Sequence, residues 1–366
     1  MTDLLNSRYI IDGVPQELTP AQVLAAVLET PDSPAPASRT IVDETVDPSI
    51  EAHDWNPKRV QEYLDAIGKA RWRFPMPFSG VATSCKLGTA LIDALWHKGS
   101  FRLDDLALKA AWKWNPTPVG AQAAFYESVR SAADLIDSLG LKIASYNCSG
   151  SAGLSDVAFR AVISRLPEDA DEFDTKTPHP RMCAQQACPS TIVPDPQSWL
   201  IYIPFDTSDY RLGGSLLAQS QGLGGGVSLQ VADYDYFIDC FEVVRELVED
   251  GVLMSAVTVG RGGLLAAVNN LCMGGPGATI DVSDISRAFE EPNVVRILFS
   301  EVPGAVVQIR DIDFDYVDAE LLLQDVAYFP LGHPNLKSGA VRVRSSAKSG
   351  IQTILESLMQ KAEGED

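Results

Sequence analysis

The sequence lacks the features that mark membrane proteins and exported disulfide-rich proteins. No apolar run approaches the roughly 18 residues that span a bilayer, and the N-terminal MTDLLNSRYIIDG has no basic segment before an apolar one. Six cysteines are scattered through 366 residues, which is too sparse for a disulfide scaffold. We therefore expect a cytoplasmic protein with reduced thiols and no membrane partner.

Positive charge is also scarce. The chain has 29 Lys and Arg against 49 Asp and Glu, a formal net charge of -20 at pH 7. Such a surface repels nucleic acid and anionic lipid over most of its area, so we expect no nucleic-acid partner. The hydrophobic fraction of 46% is ordinary for a globular chain, and the length suffices for two domains.

Readable catalytic and metal-ligand sets are missing as well. The four histidines stand apart, and no Ser–His–Asp or Cys–His set can be identified. Cys183 and Cys188 lie close together with His179 just upstream, but their spacing is wider than that of common zinc knuckles. A metal site here needs a fourth ligand, which cannot be identified from the sequence. Two interpretations therefore remain, a metal site and ordinary loop residues that bind nothing.

Composition divides the chain into four parts. Residues 1–52 read as an N-terminal arm with a Pro/Ser/Ala linker, and residues 53–166 as a first domain. Residues 167–198 are rich in Pro and acids and poor in apolar period, which predicts a linker loop before a second domain at 199–366. Alternating strand and helix patterns in the second domain predict an α/β or α+β fold with the site on loops at strand ends.

Local patterns predict individual elements along both domains. GVATSC at 80–85 and VVRILFS at 294–300 are expected as strands, and LDDLALKAAWKWN at 103–115 as a helix. Further predictions cover a helix at 121–142 with Gly140 as its cap, a strand KIASYN, a strand GAVVQIR and a terminal helix near 350–361.

One glycine-rich stretch attracts particular interest. VTVGRGGLLAAVNNL predicts a strand, a turn containing Arg261, Gly262 and Gly263, and then an apolar helix. The first N–H groups of a helix have no partner within it, so a helix entered through glycines is a potential anion site. Arg261 could bind an anion directly or could be an ordinary surface arginine.

Four segments, in the same order, resemble the second synthetase half of phosphoribosylformylglycinamidine synthase, within the aminoimidazole-ribonucleotide synthase superfamily. RLGGSLLAQ at 211–219 matches the family's Leu-Gly-Gly-Ser-x-x-Ala-Gln segment, and LFSEVPGAVVQIR at 298–310 its Phe-x-Glu-x-x-Gly-Ala-Val-x-Gln segment. The stretch 247–268 resembles the family's strand, Ser-Asp-Gly-Gly-Leu turn and helix. Residues 107–143 resemble the helices before its Gly-Lys-Asp-Ser loop.

The resemblance implies a synthetase-type unit with an N-terminal half-barrel sheet domain and a C-terminal α/β domain. A half barrel leaves strand edges open, so a homodimer or a related synthase-like subunit is expected as partner. In the family, ATP activates a substrate carbonyl before an amine attacks, and magnesium handles the triphosphate. Carried over to this chain, the resemblance implies a metal role for Glu301 and nucleotide or phosphate binding by Gly213, Gly214, Ser215, Gln219, Arg261, Gly262, Gly263 and Asn147.

Departures from the family motifs decide the functional hypotheses. Arg261 stands where the family has Asp, and Tyr146, Asn147 and Cys148 stand where it has Gly, Lys and Asp. Mg²⁺ prefers hard oxygen ligands, which Arg and Cys do not supply. The leading hypothesis is a diverged member whose ATP-dependent, amidine-forming ligase chemistry is lost or altered. The alternative is a non-catalytic scaffold or virion subunit that uses the fold to dimerise and bind a partner.

Overall fold

A computed structural model describes residues 2–30, 33–49, 52–165, 179–229, 231 and 233–344. The predicted terminal helix near 350–361 and residues 167–178 of the predicted linker lie outside these residues, whereas residues 181–186 of that linker form a strand rather than a loop. In chain order the elements are α1 Thr2–Leu5, β1 Arg8–Ile11, β2 Val14–Pro15, α2 Pro20–Ala25, β3 Thr40–Asp43, α3 Val60–Lys69, α4 Ser79–Leu95, β4 His97–Ser100, β5 Leu106–Trp114, α5 Ala121–Ser138, β6 Lys142–Gly150, β7 Asp156–Ile163, β8 Arg181–Gln186, β9 Trp199–Pro204, α6 Leu216–Ser220, α7 Tyr234–Glu249, β10 Leu253–Val259, α8 Gly263–Leu271, β11 Gly277–Asp281, α9 Ser283–Ala288, α10 Val294–Phe299, β12 Gly304–Ile309, α11 Phe314–Leu323, β13 Phe329–Asn335 and β14 Arg342–Arg344.

The C-terminal half is built on a six-stranded sheet with strand order β10-β12-β9-β13-β11-β14. Strand β9 shows why the sheet is a layer inside the protein. Ile201 and Ile203 enter one hydrophobic cluster with α7 and α11, whereas Leu200 and Tyr202 enter a second cluster with α8 and α10. A strand buried on both faces reads as a continuous apolar run, and the SWLIYIPF segment has this pattern.

The N-terminal half contains a three-stranded sheet with order β6-β5-β7. Along β5, Leu106, Leu108, Ala110, Trp112 and Trp114 are buried, whereas Lys109, Ala111 and Lys113 are exposed. The buried face packs on α4 and α5. Mixed helices and sheets in both halves confirm the predicted fold class.

Three predicted elements are wrong. Within the predicted helix at 103–115, residues 106–114 form strand β5. Its Ala and Lys residues favour helices, but buried and exposed positions alternate with the period of two that is typical of a strand. Residues 80–85 lie in helix α4, whose small residues allow close packing. At Gly88 of that helix, an added Cβ would lie 3.4 Å from Phe237 and 3.5 Å from Pro303. Residues 294–299 form helix α10, capped by Asn293, whose side chain accepts from the Val295 N–H at 3.0 Å.

The residues predicted as an arm contain regular structure that packs on the first domain. Strands β1 and β3 run parallel, and Tyr9 is fully buried with its ring 5.1 Å from that of Tyr126 on α5. The Asp43 carboxylate accepts the N–H groups of Gln122 at 2.9 Å and Ala123 at 3.1 Å at the start of α5. An acceptor at a helix N-terminus stabilises it, so this segment is anchored rather than extended. The domain boundaries given above stay a prediction.

Candidate binding cavity

A cavity of about 180 Å³ lies where helix α4 of the first half meets the glycine turns of the second. It collects five of the sequence-predicted residues, Gly213, Gly214, Ser215, Arg261 and Glu301, which come from three separate segments. Gly262 and Gly263 continue from Arg261 into α8. The structure therefore brings these three segments together, and their role in binding stays a prediction.

One wall of the cavity, the glycine wall, consists of Gly213, Gly214, Ser215, Gly260 and Glu301. The predicted residues Gly262 and Gly263 follow in the chain but are not among the lining residues. Gly214 has φ +77°, and a Cβ there would lie 2.8 Å from Phe78. Gly263 has φ +75°, and a Cβ there would lie 2.7 Å from the carbonyl oxygen of Leu298. Left-handed φ values and close backbone approach both favour glycine, so packing alone accounts for these residues.

Glu301 is the residue that joins the two turns. Its Oε1 accepts the N–H of Leu216 at 2.8 Å and that of Gly262 at 2.9 Å, where α6 and α8 begin. An internal carboxylate thus already occupies N–H groups that the sequence suggested for a phosphate. Burial raises the pKa of the Glu301 carboxyl above its usual range, although the two N–H bonds and the charges of Arg261 and Lys86 act in the lowering direction.

A second group of lining residues, the cationic wall, consists of the side chains of Lys86, Trp72 and Arg261. The Arg261 guanidinium carbon lies 4.4 Å from the centre of the Trp72 ring, a cation–π arrangement. Arg261 is exposed and has no hydrogen bond or ion pair within the described part of the chain. Trp72 contributes a second unused group, since its indole Nε1–H is buried and has no acceptor among the same residues.

Lys86 and Arg211 bring further positive charge to the cavity, and both are already paired. The Lys86 ammonium contacts the Asp156 carboxylate and donates to the Val157 carbonyl at 2.7 Å. Burial lowers the pKa of Lys86 below its usual range, although the hydrogen bond and the charge of Asp156 act to raise it. Arg211 pairs with Asp209 at 2.6 Å. Arg261 is therefore the lining cation whose charge is least compensated by protein groups.

No family model matches the chain. Curated phosphoribosylformylglycinamidine synthases do match. The protein from Drosophila melanogaster is 30% identical over 143 residues, covering 36% of this chain and 10% of that protein. A probable chloroplastic/mitochondrial one from Arabidopsis thaliana is 25% identical over 288 residues, 75% and 19% of the two chains. The Homo sapiens protein is 23% identical over 256 residues, 68% and 18%. The chain thus spans about a fifth or less of the relatives' length.

Solved structures show the same fold. Thermotoga maritima PurL, solved in complex with FGAR, superposes with a TM-score of 0.52 and 16% identity over 78% of this chain and 42% of that chain. PurLQS from the same organism gives 0.51 and 15% over 79% and 47%. The chain is therefore similar in sequence to phosphoribosylformylglycinamidine synthases and shares the fold of PurL.

Two predicted site residues of this synthase-like chain lie away from the cavity. Asn147 is exposed on strand β6, paired in register with Ala111, in a segment that resembled a loop of the family. Gln219 supports the glycine wall from behind: it donates to the Gly214 carbonyl at 2.9 Å and accepts the Arg73 N–H at 3.0 Å. Gln219 therefore positions the turn without lining the cavity.

Sequence reasoning missed Lys86, Trp72 and Arg211 as lining residues. Lys86 was hidden because its segment was assigned to a strand end, and Trp72 lies in a connection with no motif around it. Arg211 was detectable, since it begins the RLGGS segment that carried the resemblance.

The fit of a metal can be tested at both predicted places. Glu301 is the one carboxylate among the lining residues of the cavity, and its neighbours there are cationic. Mg²⁺ beside nucleotide phosphates is usually held by one or two carboxylates, and here the one lining carboxylate already accepts two backbone N–H groups, so this lining does not fit it. Cys188 is buried with its pKa raised to about 11, and Cys183 is exposed on β8. The described residues contain no group of three or more His, Cys, Asp or Glu placed for a metal.

Proposed function

We propose that the cavity binds the phosphate-bearing end of a nucleotide-like ligand through Arg261, without Mg²⁺. We further propose that the ATP-dependent, amidine-forming ligase reaction of the relatives is lost or altered in this chain. The proposal rests on two hydrogen-bond donors of the cationic wall that have no acceptor within the described residues, the Arg261 guanidinium and the Trp72 indole N–H. In a chain of net charge -20, such a pair favours an anionic acceptor at this place.

The size of the cavity supports the same assignment. At about 180 Å³ it is smaller than the roughly 300–1,000 Å³ of sites that enclose a drug-sized ligand. It therefore suits a phosphate group and part of what the phosphate is attached to, with the remainder of the ligand outside. ATP is the first ligand to test because of the family relationship, and inorganic phosphate tests the minimal chemistry.

The residues beside the proposed phosphate site, Arg261 and Glu301, support a loss or change of the ligase reaction. Phosphoryl transfer depends on cations and metal ions that neutralise developing charge at fixed positions. Here Arg261 occupies the position of the family's Asp, and the single lining carboxylate, Glu301, is held by two backbone N–H groups. This arrangement can hold an anion, but it offers no carboxylate pair for a metal-bound triphosphate.

The proposal is tested by calorimetric titration with ATP, a non-hydrolysable ATP analogue and inorganic phosphate, each with and without Mg²⁺. We expect binding that does not require Mg²⁺ and that weakens at least about tenfold in Arg261→Ala. Arg287→Ala is the matched control, because Arg287 is an exposed arginine on α9 that pairs with Asp284. Absence of binding at millimolar ligand would overturn the proposal.

Ligase activity needs its own assay. ATP hydrolysis is measured with ammonia and a formamide ribonucleotide, and we expect no stimulation by the two co-substrates. Stimulated hydrolysis together with Mg²⁺-dependent binding would show that the family reaction is retained.

The exposed face of the three-stranded sheet supports a second candidate function, a scaffold that binds another subunit. Strands β6 and β7 are the edges of their three-stranded sheet, and the outer face of that sheet exposes Lys109, Lys113, Asn147 and Arg160. The β6 edge is bridged at Ile143 to Leu28, and the remaining edge positions together with the uncovered sheet face favour a second copy or a related synthase-like subunit. Sedimentation velocity tests this role: a concentration-independent monomer would contradict homodimerisation. Within the described residues no helix is long and apolar enough to cross a membrane.

A further inference from the structure

Helix α11 and the short turn before it are apolar on two opposite sides. Val317 and Leu321 are fully buried against the core. On the outer side Ile312 is 84% exposed, Tyr316 41%, Leu322 64% and Leu323 77%. Ile312, Tyr316 and Leu323 recur at helical spacing and so lie along one side of the segment, and Leu322 flanks that side; these four residues are called the α11 stripe.

The α11 stripe differs from the other exposed apolar residues of the described chain, most of which stand singly. A single exposed Leu or Val is normal on a protein surface. Four large apolar side chains within twelve residues form a contiguous surface, and a helix that is apolar on both sides is ordinarily covered on both. The stripe therefore has the character of an interface.

The surroundings of the stripe are strongly acidic. Residues 311–327 contain six Asp or Glu and no Lys, Arg or His. Helix α7 adds Asp250, whose carboxylate accepts the Tyr316 hydroxyl at 2.6 Å, and the nearby Arg310 is neutralised by Asp313 at 2.6 Å. An apolar centre with an acidic rim complements a partner that is apolar in the middle and basic at its edges.

We propose that the α11 stripe is a docking surface for a basic amphipathic helix of a partner protein. Helix packing along helix α11 would cover Ile312 and Leu323, while Lys or Arg side chains of the partner would meet Asp315 and Asp325. A second copy of this chain is disfavoured, because symmetric pairing would bring two acidic rims together. An anionic membrane surface is repelled for the same reason.

The experiment uses a synthetic 18-residue peptide with leucines at helical spacing on one face and lysines on the other, titrated into the full chain by fluorescence anisotropy. A scrambled peptide of identical composition controls for general attraction to an acidic protein. The double variant Ile312→Ser with Leu323→Ser removes the centre of the stripe, and Met273→Ser, at a residue 65% exposed elsewhere, is its control. Asp315→Asn with Asp325→Asn weakens the rim, and Asp134→Asn with Asp137→Asn on α5 controls for the same change in net charge.

We expect the amphipathic peptide to bind at least about tenfold more tightly than the scrambled one, and to lose at least about tenfold in the stripe variant. The rim variant should lose a smaller factor and become less sensitive to salt. Hydrogen exchange should slow at 311–325 on binding. Equal binding of both peptides, or a stripe variant that binds as wild type, would overturn the proposal. So would a concentration-dependent dimer abolished by the stripe variant, which would assign the surface to a second copy.

Discussion

The glycine wall and the cationic wall of the cavity differ in what their donors already contact. On the glycine wall, backbone N–H groups at the starts of α6 and α8 donate to Glu301, so the protein supplies its own anion. On the cationic wall, Arg261 and the Trp72 indole N–H have no acceptor within the described residues. A glycine motif therefore shows how a turn folds, whereas an unsatisfied donor marks a group that is still able to donate to a ligand.

Glu301→Ala should have the largest effect on stability. It leaves the N–H groups of Leu216 and Gly262 without their acceptor and removes the negative charge near Arg261 and Lys86. We expect the free energy of unfolding to fall by about 2–4 kcal/mol, measured by urea denaturation. Glu301→Gln retains an acceptor oxygen and should lose less than half of that. Equal losses in both variants would mean that charge, rather than N–H bonding, sets the role of Glu301.

Gly263→Ala tests the claim that packing explains the glycines. Its Cβ would meet backbone atoms of Leu298 and Phe299 at 2.7 Å in addition to adopting a left-handed φ. We expect a loss of about 2–3 kcal/mol in unfolding free energy. Gly274→Ala is the matched control, since Gly274 has φ +79° with nothing within 4 Å of an added Cβ, and it should lose only about 1 kcal/mol. Similar losses at both positions would remove close packing as the reason for Gly263.

Strands β9 and β12 and helix α8 could be predicted from sequence, because their apolar patterns are strong and Gly304 and Gly263 mark the starts of β12 and α8. Strand β5 could not, since its Ala and Lys residues satisfy a helical pattern as well as a period of two. The partner of the helix starts was also hidden. Glu301 lies 39 residues from Gly262 and 85 from Leu216, and only tertiary folding brings them together.

Trp72→Phe tests whether the indole N–H on the cationic wall donates to a bound anion. Phenylalanine keeps an aromatic face for the Arg261 guanidinium but lacks the indole N–H. We expect affinity for inorganic phosphate to fall about threefold to tenfold, the effect of one lost hydrogen bond to an anion, with little change in stability. Trp199→Phe is the control, because Trp199 also donates its Nε1–H, at 2.8 Å to Asp311, but lies outside the lining residues. Undiminished affinity in Trp72→Phe would remove the indole from the proposed site.

Protonation of Glu301 should make the affinity of the cavity for an anion depend weakly on pH. The raised pKa of Glu301 means that the folded state takes up this proton at higher pH than the unfolded chain does, so protonation begins above the usual range of a glutamate. Protonation removes the negative charge beside Arg261, and affinity for an anion should therefore rise as pH falls. Sulfate is the appropriate probe because it does not titrate in this range, and we expect its affinity to increase about twofold to fivefold from pH 7.5 to 5.5. Glu301→Gln should bind sulfate independently of pH, since its amide carries no charge at either end of the range. If the variant retained the wild-type slope, the pH response would belong to another group and the two walls would be electrostatically independent.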